Sequence, residues 1–279
     1  MPSYDTPEPI SVSAHVGAGS IRFTASDRGD TAVEVRPQNQ DKKNVRAAEQ
    51  TEVSYAGGVL SVKTRQRAVI GPTGAVDVTV VLPAGSRVDV TGSWVQVLAE
   101  GRLGTVRVKT SAGDVRLDTT GSLDLNASHG SITVDRVEGN AQITTSSGSL
   151  RVGHVDGTAV LKNSHGSTHV GATTGDLRVS GANGDIDIAR AEGSVTATTS
   201  HGALRVAEVA RGTVQLETGY GAIEIGVREG TAAWLDVSSE KGQARNTLAA
   251  SEAPDGAEET VKIRARTRWG NVDVRRAKA

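Results

Sequence analysis

Between Gly104 and Gly230 the chain runs in short bursts of alternating apolar and polar residues, punctuated by glycines that recur almost always nine residues apart. Two and four residues after most of these glycines stands an aliphatic side chain, as in Val115/Leu117, Ile132/Val134, Leu150/Val152, Ile186/Ile188 and Ile223/Ile225. A two-residue alternation places successive side chains on opposite faces, so each burst predicts a short half-buried strand. The units are of two kinds. One reads Ser128-His129-Gly130-Ser131-Ile132-Thr133-Val134, echoed at Ser164-His165-Gly166 and Ser200-His201-Gly202. The other lacks this small-residue position two before its glycine.

The period is therefore two units. A strand pair of that length cannot bury its aliphatic residues alone, and stacking identical units does it for all of them. The pattern predicts an all-β parallel β-helix, or β-solenoid, whose coils of ~18 residues each hold two strand–turn units of ~9. Leu150, Thr168, Ile186 and Leu204 would form one interior column, and Val152, Val170, Ile188 and Val206 the next. The small residues Ser111, Ser128, Ser146, Ser164, Ala182, Ser200 and Gly219 are expected to line an inside corner. Each corner glycine is expected to supply a positive φ.

Outside this stretch the rhythm is looser. Residues 1–85 read as an irregular, strand-rich opening that caps the solenoid and covers its first edge. Within it Ile10–His15, Gly19–Phe23, Thr31–Val35, Val59–Val62 and Val76–Leu82 alternate, and Asp41–Gln50 is charged enough for a short helix or a solvated loop. Residues 86–243 form the regular body. Residues 244–279 give a surface loop from Asn246 to Glu259, then closing strands, with Trp269-Gly270-Asn271-Val272 repeating the turn pattern.

Composition changes little and excludes much. Aromatic residues are only 3% of 279, as thin coils require. Lys and Arg number 31 against 32 Asp and Glu, so no polybasic field argues for nucleic acid. Cysteine is absent, which removes disulfide and thiolate chemistry. The opening residues show no basic-then-apolar leader and the chain shows no apolar run long enough for a membrane span. The expectation is a cytoplasmic protein, surface-associated if the N-terminus is trimmed.

The run Val76-Asp77-Val78-Thr79-Val80-Val81-Leu82-Pro83-Ala84-Gly85-Ser86-Arg87-Val88-Asp89-Val90, followed by serial Gly-x-Leu/Val-x-Val units, resembles the bacterial β-strand-repeat family of adhesin-like proteins. The stretch Arg228–Val237 and the strand ending at Val274 are similar too. The resemblance covers nearly the whole chain and implies a β-helix-like body. It brings no catalytic or ligand residues with it.

The turns hold the residues with candidate chemistry. Calcium-binding β-rolls need Gly-Gly-x-Gly-x-Asp at each turn, whereas here each unit has one glycine, and only Asp114, Asp176 and Asp185 follow theirs directly. No cofactor is expected. His129, His165 and His201 share a turn position, but two coils at ~4.8 Å each place neighbours ~9.6 Å apart, far for bonds of ~2.0–2.1 Å to one metal ion. Glu138, Asp156 and Glu192 form an acidic rim with Arg136, His154 and Arg190 two residues earlier. The rim is the one place for an alternative reading, a carbohydrate-active β-helix enzyme using two carboxylates.

The favoured reading is a non-enzymatic binding or scaffold protein that presents a rigid face to a protein or glycan partner. Its candidate face is the ladder Thr144, Lys162, Thr198 and Glu217, with Thr110, Thr145, Asn163, Thr199 and Thr218 beside it, all expected to face solvent. The ring-bearing Tyr220 and Trp269 form a second candidate.

Overall fold

A computed structural model describes residues 2–64, 74–248 and 259–277. It divides into two compact units, Met1–Glu138 and Gly139–Ala279. Each is built as a parallel β-solenoid.

In the first unit, strand Ser11–Ser26 already forms a whole coil, bent at Gly19. It pairs in parallel with Val59–Thr64 and Val76–Pro83 on one side and with Arg87–Leu103 on the other. The opening is capped by antiparallel strands: Asp30–Pro37 lies against Val76–Pro83 and Ser3–Asp5, and Thr51–Ala56 against Val59–Thr64. Lys42–Glu49 is a short helix. The buried Asn44 on it accepts a hydrogen bond from the Ala75 N–H at 2.8 Å. Regular coils then follow, with Val88, Val106 and Leu123 in one column and Val97, Val115 and Ile132 in another.

The second unit repeats the motif with little variation. Leu150, Thr168, Ile186, Leu204, Ile223 and Val272 stack in register, as do Val152, Val170, Ile188, Val206, Ile225 and Val274. All of these are buried, so the predicted interior columns are those observed. At ~25 cal/mol per Å² of apolar surface, each large aliphatic residue contributes about 1.5–3 kcal/mol. The far corner is closed by Val155, Thr173, Ala191, Val209 and Val227, again buried.

The last strands do not follow chain order. Strand Glu259–Trp269 lies between Gly212–Tyr220 and Thr231–Lys241, parallel to both. Val272–Arg276 likewise lies between Ile223–Val227 and Ala244–Asn246. Most of the expected surface loop from Asn246 to Glu259 falls on residues 249–258, outside the described residues.

Two expectations about the corners are corrected. Positive φ recurs at one kind of turn, from Gly113 through Gly221 and again at Gly270, whereas the other kind has it only at Gly212 and Gly230. Gly184 has φ 141°, and a Cβ there would also press on the Gly166 carbonyl oxygen at 2.2 Å. At the other corner Gly175 has no such φ, and glycine serves because a Cβ would lie 2.6 Å from the Gly157 carbonyl oxygen. Close approach of successive coils, not backbone handedness, demands glycine there.

The second correction concerns facing. The alternation runs straight to the strand end, so Thr145, Asn163, Thr199, Thr218 and Thr267 point inward and are buried, as is Thr110 in the first unit. All but Thr145, whose buried hydroxyl has no hydrogen-bond partner among the described residues, donate to turn carbonyls. Thr218 Oγ1 donates to the Gly202 oxygen at 3.0 Å, Thr267 Oγ1 to the Gly221 oxygen at 2.9 Å, and Asn163 Nδ2 to the Gly148 oxygen at 3.0 Å. The small residues expected on the inside corner lie outside instead, with Ser146, Ser164 and Ser200 exposed.

Candidate functional site

The site is in the second unit, where two outward columns run side by side. The first holds Thr144, Lys162, Ser180, Thr198, Glu217 and Arg266 in register. The second holds His165, Asn183, His201, Tyr220 and Trp269. Between them runs the strip of small residues that includes Ser200 and Gly219. Low side chains there leave a trough.

That trough is an open groove of about 770 Å³. Thr198, Glu217 and Arg266 line one side, His201 and Tyr220 the other, and Arg268 and Glu240 stand at one end of the floor. The structure thus brings together three residues that the sequence assigned to two separate faces: Thr198, Glu217 and Tyr220. Thr144 and Lys162 continue the same column away from the groove.

In-register parallel strands lie ~4.8 Å apart, and the rings at this turn use that spacing to stack. His201 and Tyr220 have centroids 4.9 Å apart with planes 3° from parallel. Tyr220 and Trp269 follow at 6.1 Å and 10°. Tyr220 is thereby held between two rings, yet it remains 47% exposed, and Trp269 49%. Aromatic pairs of this kind contribute about 0.5–1.5 kcal/mol beyond burial. Among the described residues, Glu217, Thr198 and the Tyr220 hydroxyl make no side-chain hydrogen bond or ion pair. Their hydrogen-bonding capacity is open to a ligand.

Arg266, Arg268, Glu240 and Ser238 were not legible as site residues. They reach the groove because strand Glu259–Trp269 inserts next to Gly212–Tyr220 and Thr231–Lys241 flanks it. His201 was legible only as a turn histidine. Its partnership with Tyr220 follows from register.

The acidic residues lie at another turn. Glu138 belongs to the first unit, where Arg102 Nε donates to both its oxygens at 2.9 and 3.1 Å. Asp156 Oδ1 meets His154 Nε2 at 2.7 Å. Glu192 is clasped by Arg228, whose Nη2 and Nη1 donate to its two oxygens at 2.6 and 3.2 Å, while Nε donates to Glu208 at 2.7 Å. These hydrogen bonds hold the Glu192 carboxyl below its ordinary value, against partial desolvation, and hold the Arg228 guanidinium above its own. Arg190 turns to Glu208, at 3.6 Å.

The turn carboxylates are also committed. Asp176 Oδ1 accepts the Ser194 N–H at 3.0 Å and Asp185 Oδ1 the Ala203 N–H at 2.8 Å, each one coil on. Asp114 does the same for Ser131 in the first unit, at 2.8 Å. Among the described residues, no group of three or more His, Cys, Asp or Glu side chains is placed to hold a metal ion, and no helix is long and apolar enough to cross a membrane.

Among solved structures, the chain is similar to a candidate adhesin from Parabacteroides merdae, at 15% identity and TM-score 0.45, over 80% of this chain and 94% of that one. It is also similar to candidate adhesins from Bacteroides fragilis, at 12% identity and TM-score 0.39 over 98% and 95%, and from Parabacteroides distasonis, at 11% and 0.30 over 98% and 95%. Among curated proteins none matches. The repeating coils, their glycine corners and the closing strand ending at Val274 all lie within residues 8–275, the span matched by the family described as Toastrack DUF4097, and the chain belongs to that family.

Proposed function

We propose that this is a non-enzymatic binding protein that presents a rigid solenoid face of the Gly139–Ala279 unit to an extended protein or glycan partner. The observation that carries the reading is the groove in which the polar column at Thr198 and Glu217 meets the ring column at His201 and Tyr220. Every wall residue sits on a strand hydrogen-bonded on both sides, so binding orders little of the protein. Within the acidic rim, Glu192 is ill suited to serve as the acid of the enzymatic alternative. A general acid for glycoside cleavage needs a carboxyl whose pKa is raised, and Arg228 lowers that of Glu192.

Charge reversal at Lys162 with Thr198→Glu tests the face. The expected result is loss of partner capture from native cells with an unchanged melting temperature. Capture that survives those changes but fails with Glu138→Gln plus Asp156→Asn would move binding to the rim, and polysaccharide cleavage lost with the same pair would overturn the reading.

A further inference from the structure

We infer that the ligand of the groove is a neutral, extended oligosaccharide lying along the coil axis, seated against the Tyr220 ring edge and the Glu217 carboxylate. This rests on the binding-face reading above.

A sugar ring carries hydroxyls around its rim and C–H groups on its faces, so it wants hydrogen-bonding groups beside an aromatic body. The groove offers the Glu217 carboxylate as acceptor, the Arg266 guanidinium as donor, the Ser200 and Thr198 hydroxyls as both, and the His201–Tyr220 ring stack alongside. Few convergent polar groups beside ring surface is the usual composition of a small-ligand site. Glu217 and the Tyr220 hydroxyl spend none of their capacity on the protein among the described residues. Carboxylate and guanidinium balance within the groove, which suits an uncharged ligand.

Equivalent groups recur along the axis at ~4.8 Å, whereas residues of an extended peptide advance by ~3.3 Å, so a peptide laid along the groove falls out of step. A hexose in an extended β-1,4-linked chain advances by nearly the coil spacing. Successive sugars can therefore meet Thr198, Glu217 and Arg266 in turn.

The test titrates the full chain with β-1,4-linked hexamers of glucose and of N-acetylglucosamine, and with the corresponding dimers, by calorimetry. The expected result is binding of at least one hexamer, at least tenfold tighter than its dimer and insensitive to salt. Tyr220→Ala and Glu217→Ala should each weaken it at least tenfold, while Trp234→Ala, at an exposed ring outside the groove, should not. Melting curves check that each variant folds. Failure of both hexamers, or binding indifferent to Tyr220 and Glu217, overturns the inference. If both fail while a protein is captured in a manner lost with Lys162→Glu plus Thr198→Glu, the glycan reading falls and the binding face stands. If no groove-dependent ligand of either kind is found, both fall.

Discussion

Tyr220 and Trp269 stack 6.1 Å apart and 10° from parallel, although the strand Thr231–Lys241 lies between them in the chain. The contact exists because the final strand inserts beside Gly212–Tyr220, bringing Trp269 opposite Tyr220 and Arg266 opposite Glu217. One insertion thus completes the ring column and supplies a cation to the groove.

The stack should be measurable as a coupling. In a double-mutant cycle of Tyr220→Ala and Trp269→Ala, urea unfolding is expected to return about 0.5–1.5 kcal/mol of interaction. Additive effects would mean that the rings do not meet in solution.

The interior columns should tolerate no charge. Ile188 is buried between Val170 and Val206, so Ile188→Asp is expected to cost several kcal/mol, the penalty for an unpaired buried carboxylate. The neighbouring Asp187 points outward and meets Arg205 at 3.4 Å in a solvent-facing pair. Asp187→Asn should stay within about 0.5 kcal/mol. Equal losses in the two variants would refute the register.

Register along one strand was the part of the fold most legible in the sequence, because alternation and a fixed period leave little choice once coils stack. Ile186, Ile188, Leu204 and Val206 fall where that logic puts them. Facing at the corners was less legible. Thr218 and Ser200 are both small and polar, and only the continuation of alternation to the strand end sends Thr218 inward and leaves Ser200 out. The groove was legible in pieces. Thr198, Glu217 and Tyr220 lie in the repeat, but Arg266 and Arg268 arrive from a strand whose place in the sheet no local pattern encodes.

The buried hydroxyls give a sharper test of that facing. Thr218→Val keeps the shape and removes the donor to the Gly202 oxygen. It is expected to cost about 1–3 kcal/mol if it leaves that carbonyl short of a partner. Ser200→Ala, on the outer strip, should be nearly neutral. Unfolding midpoints in denaturant that reverse this order would put Thr218 outside.

Turn carboxylates that accept backbone N–H groups predict a fold that melts alike with and without calcium. Asp185 is occupied by Ala203 and Asp176 by Ser194. Melting in excess chelator should therefore match melting in millimolar calcium, and Asp185→Ala should lower stability by about 1 kcal/mol in both buffers alike. A calcium-dependent gain of more than a few degrees would show that these oxygens bind the ion instead.

The Glu192–Arg228 pair fixes a direction for acid sensitivity. Folding lowers the Glu192 carboxyl below its ordinary 4.5, chiefly through the Arg228 hydrogen bonds. For a group depressed in the folded state, the stabilisation is fully present above the unfolded value and fades as pH falls through the folded one. Wild-type protein should therefore lose stability on acidification below about pH 4.5, and Glu192→Gln should lose less over the same interval. At neutral pH the variant should be weaker by about 1 kcal/mol, since both side chains remain partly solvated. Arg228→Gln should flatten the acid limb in the same way, because it removes the partner that depresses the carboxyl. Parallel pH profiles for wild type and Glu192→Gln, followed by denaturant midpoints from pH 7 to pH 3, would show that this pair does not couple folding to protons.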